Sequence, residues 1–410
     1  MFDSDHKLRH LSFFEEVASL EEGSPEWHAA TAGLVVLRLV DAWLEDGTSV
    51  ATDDGWGVRS VRCAIDAIDE GTPIRAILGR VVDALEQQRP DIHVVVTPLM
   101  AYGRALEYEA KWYLAADVYH TVLAHLHPTE DSDASIAAHM RLGYCYRSLH
   151  LIDEATEAYA SAAAIATQTG DMVSVLLAQV NEGHIAVLRG NLPKAEAILD
   201  DAIARSIGSE FSDVHARALH ERSNVAHHRG DYELAIQLAY EGFGHSQSPI
   251  ERDRILSDLA GAFLELGVFS AARDAYLVLS ATAQEQYTRW TATINLLDVS
   301  SQTGMQMLFE LYRRQLSDVQ LPPFLAMAFE LNVGLGYRRF GEFEKARAFL
   351  ERAMALASRH GLNQYLFEAE EALLQLDAPV PPARVSAEPS LDLQEVASAI
   401  RDLRESVGVS

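Results

Sequence analysis

Small residues return along this chain at two fixed intervals, a pattern that leaves few folds open. Gly103, Gly143, Gly183 and Ser223 stand 40 residues apart, and Ser223, Ala260, Leu297 and Gly334 stand 37 apart. A row of alanines follows, at Ala115, Ala155, Ala195, Ala235, Ala272 and Ala346. Between the two rows, five copies carry a glycine: Gly190, Gly230, Gly267, Gly304 and Gly341. An apolar group comes shortly after, at Trp112, Ile152, Leu192, Tyr232, Phe269 and Phe343. A helix often ends on a left-handed residue, which glycine adopts at little cost, so each period reads as helix, tight turn, helix. Small side chains on both helices let their axes approach to roughly 8–10 Å. One such hairpin cannot bury its own apolar face, so the copies are expected to stack.

Composition suits this reading. The 410 residues are 49% hydrophobic and 23% charged, with material for a core and a charged exterior. The formal net charge is −27, from 33 Lys and Arg against 60 Asp and Glu. That balance disfavours nucleic acid and anionic membrane as partners, because phosphate binding needs clustered Lys and Arg. It leaves two readings open, solubility or a basic partner. The two cysteines, Cys63 and Cys145, lie far apart without zinc spacing and fit a reducing cytoplasm. The first residues lack the charged-then-apolar order of a signal peptide. The apolar run at Ala32–Leu37 stops at Arg38, far short of the ~20 residues a membrane span needs.

Outside the repeats the chain is less regular. Residues 1–95 read as a helical N-terminal region, either degenerate hairpins or a separate bundle. Ser24–Pro25 and Thr72–Pro73 are helix starts there, with a polar loop over 48–57 and a helix end at Pro90. Residues 96–376 form the array with a capping helix. Residues 377–390, rich in proline, read as an extended flexible linker. Leu393, Val396, Ile400, Leu403 and Val407 give residues 391–410 an amphipathic helix on that tether. It can pack back on the array, dock on a partner, or pair with a second copy to make a homo-oligomer.

Gly143, Ala155, Tyr159 and Ala162, and again Gly334, Ala346, Leu350 and Ala353, resemble the signature places of the tetratricopeptide repeat. The periods of 37 and 40 exceed that repeat's usual length of about 34 and are similar to those of bacterial transcription activators and peptide-pheromone receptors. The sixth copy departs, with Gln306, Phe309 and Arg313 where apolar, alanine and aromatic groups belong. The resemblance implies an all-α fold, a right-handed α-solenoid of about seven hairpins whose first helices line a concave groove. It also implies which residues meet a ligand: Arg104 in repeat one, Tyr144 in two, Asn181 and His184 in three, Arg217, His220 and Asn224 in four, and Arg254 in five. Arg and Asn can hold a peptide's carbonyls and carboxylates by paired hydrogen bonds. The Lys/Asn/Arg set by which some members grip a C-terminal carboxylate is incomplete, since Met140, Leu177 and Val180 fill several of its places.

Chemistry is harder to find. His215, His220, His227 and His228 share one stretch, with His184 a repeat earlier. His220 and His227 face one way along a helix but sit about 10.5 Å apart, too far for one zinc ion whose ligands lie about 2 Å from it. A site there needs His184 or an acid from the adjoining helix. Phosphate-binding glycine loops and zinc-protease spacing are absent from the sequence. The expectation is a non-enzymatic cytoplasmic adaptor, without cofactor or metal, that binds another protein or an extended peptide. A peptide-responsive signalling regulator and an enzyme with an unrecognised site stand as alternatives.

Overall fold

At each turn where the sequence asks for a left-handed residue, the chain has one. The protein is seen here in a computed structural model that describes residues 9–46, 56–87, 91–359, 362–376, 378–380 and 382–409. Among these there are twenty α-helices and no strand. The chain divides into two compact units, Met1–Arg189 and Gly190–Ser410.

The first unit begins with four helices: α1 (Leu11–Ser19), α2 (Pro25–Asp46), α3 (Trp56–Asp66) and α4 (Pro73–Gln87). Ser24 caps α2 by accepting the Trp27 N–H at 3.1 Å, as its place before a proline requires. Of the loop expected over 48–57, Trp56 and Gly57 instead open α3, while 48–55 and Pro90 lie outside the described residues. Two hairpins follow, α5 (Ile92–Tyr108) with α6 (Trp112–Ala124) and α7 (Ser132–Ser148) with α8 (Ile152–Thr169), and then α9 (Met172–Leu188) on α8. The four N-terminal helices join the same core, where Trp43, Leu78, Val95, Tyr102 and Tyr119 are buried together.

The second unit starts with α10 (Leu192–Arg205), so the two helices of the third repeat fall one in each unit. Four hairpins follow: α11 (Ser212–His228) with α12 (Tyr232–His245), α13 (Pro249–Glu265) with α14 (Phe269–Thr282), α15 (Gln286–Gln302) with α16 (Gln306–Leu316), and α17 (Pro323–Arg339) with α18 (Phe343–Arg359). Helix α19 (Asn363–Leu374) packs on α18, and α20 (Gln394–Val407) packs on α14.

The turns share one hydrogen-bond pattern. The residue after the left-handed position donates to a carbonyl five back: Lys111 to Leu106, Leu151 to Tyr146, Asp231 to Ala226, Val268 to Phe263, Met305 to Ser300 and Glu342 to Tyr337, all at 2.8–3.0 Å. This is the Schellman closure. Gly230, Gly267, Gly304 and Gly341 hold φ between 74° and 77°. In the first two hairpins Ala110 (φ 58°) and His150 (φ 59°) take the same place. The fold imposes the conformation there without a glycine.

Close approach within a hairpin has a visible cause. A Cβ added to Gly103 would lie 2.6 Å from the Tyr119 ring, one on Gly143 2.6 Å from Tyr159, and one on Gly334 2.7 Å from Leu350. Each large group sits 16 residues after its glycine and fills the space that the missing side chain leaves. The irregular sixth repeat solves its packing differently. Phe309, standing where alanine belongs, is fully buried and meets the edges of Tyr337 and Phe340 at 5.3 and 5.2 Å. Its ring enters the place a Cβ of Gly336 would occupy, so a glycine in the next repeat accommodates the bulk.

The proline-rich stretch differs from the flexible tether read in the sequence. Residues 382–390 run extended and bond to the turns of two hairpins. Arg384 N–H donates to the Gln302 carbonyl at 2.7 Å, Ala387 N–H to the Gly267 carbonyl at 2.8 Å, and Ser270 N–H to Ser386 Oγ at 3.0 Å. Helix α20 then buries Val396, Ala397 and Ile400, and Arg404 reaches the buried Asp274 carboxylate at 3.1 Å. Of its three readings, packing on its own chain is the one the structure shows. Proline fits this role because a segment that bonds only at intervals gives up few donors.

Two outcomes are expected. Ala110→Gly and His150→Gly should each stabilise the protein by about 1 kcal/mol in urea unfolding, the left-handed penalty less glycine's entropy. Gly336→Ala should destabilise by about 1–3 kcal/mol, and Phe309→Leu in the same chain should recover part of that loss.

Candidate functional site

The first helix of each hairpin carries polar side chains that a core would reject, and these decide what the repeats can recognise. In the first unit, Glu107 of α5 is buried at 5% exposure. It accepts from Tyr119 Oη at 2.8 Å and from Arg141 Nε of α7 at 2.9 Å, and a second Arg141 nitrogen closes a forked pair. Tyr144 lies between the guanidinium groups of Arg141 and Arg147, 4.8 and 5.3 Å from its ring centre, with Trp112 edge-on at 5.5 Å. Arg104 is exposed and His184 half-buried. Asn181 is buried, its Nδ2 3.6 Å from Met140 Sδ. Nearby, burial pushes the Cys145 thiol up to about 12, so it stays an inert free thiol.

In the second unit, His220 of α11 is buried between two acids of α13. Its Nδ1 lies 3.0 Å from Glu251 Oε1 and its Nε2 2.7 Å from Asp258 Oδ2. Burial pulls the imidazole pKa down, but the hydrogen bonds to Asp258 and Glu251 outweigh it and hold it at about 10. Burial acts against the Glu251 carboxylate too, and the bond from His220 overcomes it, leaving its pKa at about 2. Both groups are therefore charged at neutral pH. Arg254, also of α13, donates from one nitrogen, Nη2, to both carboxylate oxygens of Glu285 at 3.1 and 3.0 Å. Asn224 Nδ2 donates to Glu221 at 3.3 Å, and Arg217 is half-buried close enough to help lower Glu251.

His220 and Arg254 thus tie one repeat to the next, and Arg104 is the exposed member of the eight. The spacing of first-helix residues shows which side chains share a face, but the acids opposite His220 come from another helix and could not be paired with it in advance. Glu107 was missed altogether, and so was a charged cluster near the N-terminus. There, His10 places Nδ1 2.9 Å from Asp117 of α6 and Nε2 3.2 Å from Asp41 of α2, which also meets Arg9 at 2.9 Å and His125 at 3.2 Å. Burial lowers the His10 pKa, yet its bonds to Asp117 and Asp41 raise it to about 9.

A second histidine group lies where α11 meets α12. His215, Glu241 and His245 each bring a ligand-type atom within 4.8 Å of the others. Beside it, Tyr240, Phe243, Leu256, Ile400 and Leu403 of α12, α13 and α20 line a largely apolar cleft of about 730 Å³, which Glu241 and His245 also edge.

Buried His220 and its two acids set a pH dependence. The pKa of His220 is raised above its ordinary 6.5, so its contribution is complete below pH 6.5 and lost as pH rises through about 10. The pKa of Glu251 is depressed below its ordinary 4.5, so its contribution is complete above pH 4.5 and lost as pH falls through about 2. The stability advantage over His220→Gln should therefore be flat between pH 4.5 and 6.5 and shrink on both sides. His220→Ala should cost about 3 kcal/mol at pH 6, because it leaves the largely buried Glu251 carboxylate without its histidine partner.

No family model and no curated protein matches the chain. Solved structures do. A structure described as a Rap protein complexed with Competence and Sporulation Factor has a TM-score of 0.52 at 12% identity, covering 81% of this chain and 98% of that one. The Rap conjugation gene regulator of the plasmid pLS20 in complex with the Phr* peptide has a TM-score of 0.53 at 14% identity, covering 83% and 97%. At these identities the likeness is one of fold. With the glycine-packed hairpins described above, the chain shares the all-α helical-hairpin fold of those structures.

Proposed function

We propose that this chain is a non-enzymatic binding protein whose first helices receive an extended peptide or a segment of another protein. The observation that carries the reading is the set of polar groups tied from one first helix to the next. Glu107 with Arg141 spans α5 and α7 in the first unit, and His220 with Glu251 and Asp258 spans α11 and α13 in the second. These ties hold the first helices in place, so the exposed Arg104 and half-buried Arg217 and Asn224 on the same helices lose less freedom when a ligand arrives. Of the two Rap structures that share the fold, one is complexed with Competence and Sporulation Factor and the other with the Phr* peptide, which supports the reading by analogy of fold. The net charge of −27 favours a partner segment carrying Lys or Arg. Both cysteines are unpaired, which fits the reducing cytoplasm. Among the described residues no helix is long and apolar enough to cross a membrane.

The test starts with affinity capture on the full chain and mass spectrometry of what is retained, followed by titration of the partner in solution. Arg217→Glu combined with Asn224→Asp should weaken that partner at least tenfold, with the helical circular-dichroism signal preserved. Arg104→Glu examines the first unit in the same assay. Unaltered affinity in both variants would rule out the first helices as the binding surface.

A further inference from the structure

We infer that His215, Glu241 and His245 form a binding site for a zinc-class divalent metal ion. The donor set is two imidazoles and one carboxylate, the combination that zinc and its borderline neighbours accept, with a fourth position left for water or an incoming donor. Metal–nitrogen and metal–oxygen bonds of about 2.0–2.2 Å place tetrahedral ligands about 3.3 Å apart. The three donor atoms already lie within 4.8 Å of one another, so side-chain torsions alone can close the set. Glu241 and His245 are four residues apart on α12 and share a helix face, while His215 comes from the first turn of α11.

The backbone beneath the three is fixed independently of them. A Cβ on Gly242 would meet the Ala216 carbonyl at 2.9 Å, so α12 presses on α11 at the residue beside Glu241 and the residue beside His215. Ser212 Oγ donates to the His245 carbonyl at 2.8 Å, and Gln247 N–H donates to Asp213 Oδ1 at 2.7 Å. The start of α11 is therefore clamped to the end of α12. The orientation of His215 is set as well. Ser206, fully buried, donates its hydroxyl proton to the Ile203 carbonyl at 3.2 Å and lies 3.0 Å from His215 Nδ1. With Nδ1 protonated and donating to Ser206 Oγ, Nε2 keeps its lone pair, the arrangement an outer hydrogen bond gives a metal-binding histidine. His245 stands edge-on to the His215 ring with centres 5.1 Å apart. Arg252 of α13 and Asp402 of α20 line the neighbouring cleft.

Metal uptake by the full, metal-stripped chain tests this. Zn²⁺ alone, titrated calorimetrically, should bind with one-to-one stoichiometry, and Co²⁺ alone should give the visible absorption of a nitrogen- and oxygen-ligated ion. His245→Ala and, as a near-isosteric second variant in case the first fails to fold, Glu241→Gln should each weaken binding at least tenfold. His228→Ala, on the same helix as His215 but outside the group, should bind as the parent does. Absence of stoichiometric uptake by the parent, or unchanged affinity in Glu241→Gln, overturns the assignment. So does equal weakening by His228→Ala, which would mean adventitious surface histidines only. Partner capture is a separate measurement, so failure of this site leaves the peptide-binding reading untouched, and the reverse holds too.

Discussion

Three of these hairpins depend on two helices coming close enough for a large side chain to lie against a bare backbone. Gly103 against Tyr119, Gly143 against Tyr159 and Gly334 against Leu350 are the same contact made three times. A methyl group at any of the glycines would collide with a side chain that is itself fully or nearly fully buried. Interiors packed to crystal density have no room to absorb such an insertion cheaply. The contact also explains why glycine and a large residue alternate across the hairpin instead of two medium ones. Helix separation is set by the small partner, and the void it creates is filled by the large one. Where the pattern fails, at Phe309, the same rule operates between repeats, and Gly336 supplies the missing space.

Stacking hairpins this way decides spacing but not register, because an apolar seam tolerates sliding. Buried charges supply the register. Glu107, His220, Asp274 and His10 are each removed from water and each opposed by partners on another helix. An unpaired charge in such a place costs several kcal/mol, so only the alignment that pairs them is stable. The same ties hold successive first helices rigidly against one another. At the other edge of the second unit, the strap over residues 382–390 and helix α20 cover turns and second-helix surface that would otherwise be left open.

Much of this was legible from residue spacing. The intervals of 40 and 37 located the hairpins and the glycine turns, whereas the left-handed Ala110 and His150 of the first two hairpins came from the structure. Periodicity works here because each repeat contacts chiefly its neighbours, so local pattern and tertiary packing coincide. The candidate site was legible only in part. Which side of a helix His220 or Arg254 occupies follows from 3.6 residues per turn, but whether its partner is water, an acid or a ligand depends on the next repeat. The histidines of α11 show the limit. Spacing along one helix directed attention to His220 and His227, whereas the grouping in space is His215 with Glu241 and His245 from the following helix.

The letters alone determined that the chain would be helical, that its helices would pair by small-residue contact, and where the turns would fall. These are properties of i to i+4 geometry and of side-chain volume, which operate over a few residues. The tertiary structure decided that the proline-rich stretch bonds to the hairpin turns and that α20 lies on α14. It also decided that His220 is consumed as a buried cation and that three donors converge at the junction of α11 and α12. Each of these joins groups far apart in sequence or on different helices, and such pairings are settled only when packing has fixed which faces meet.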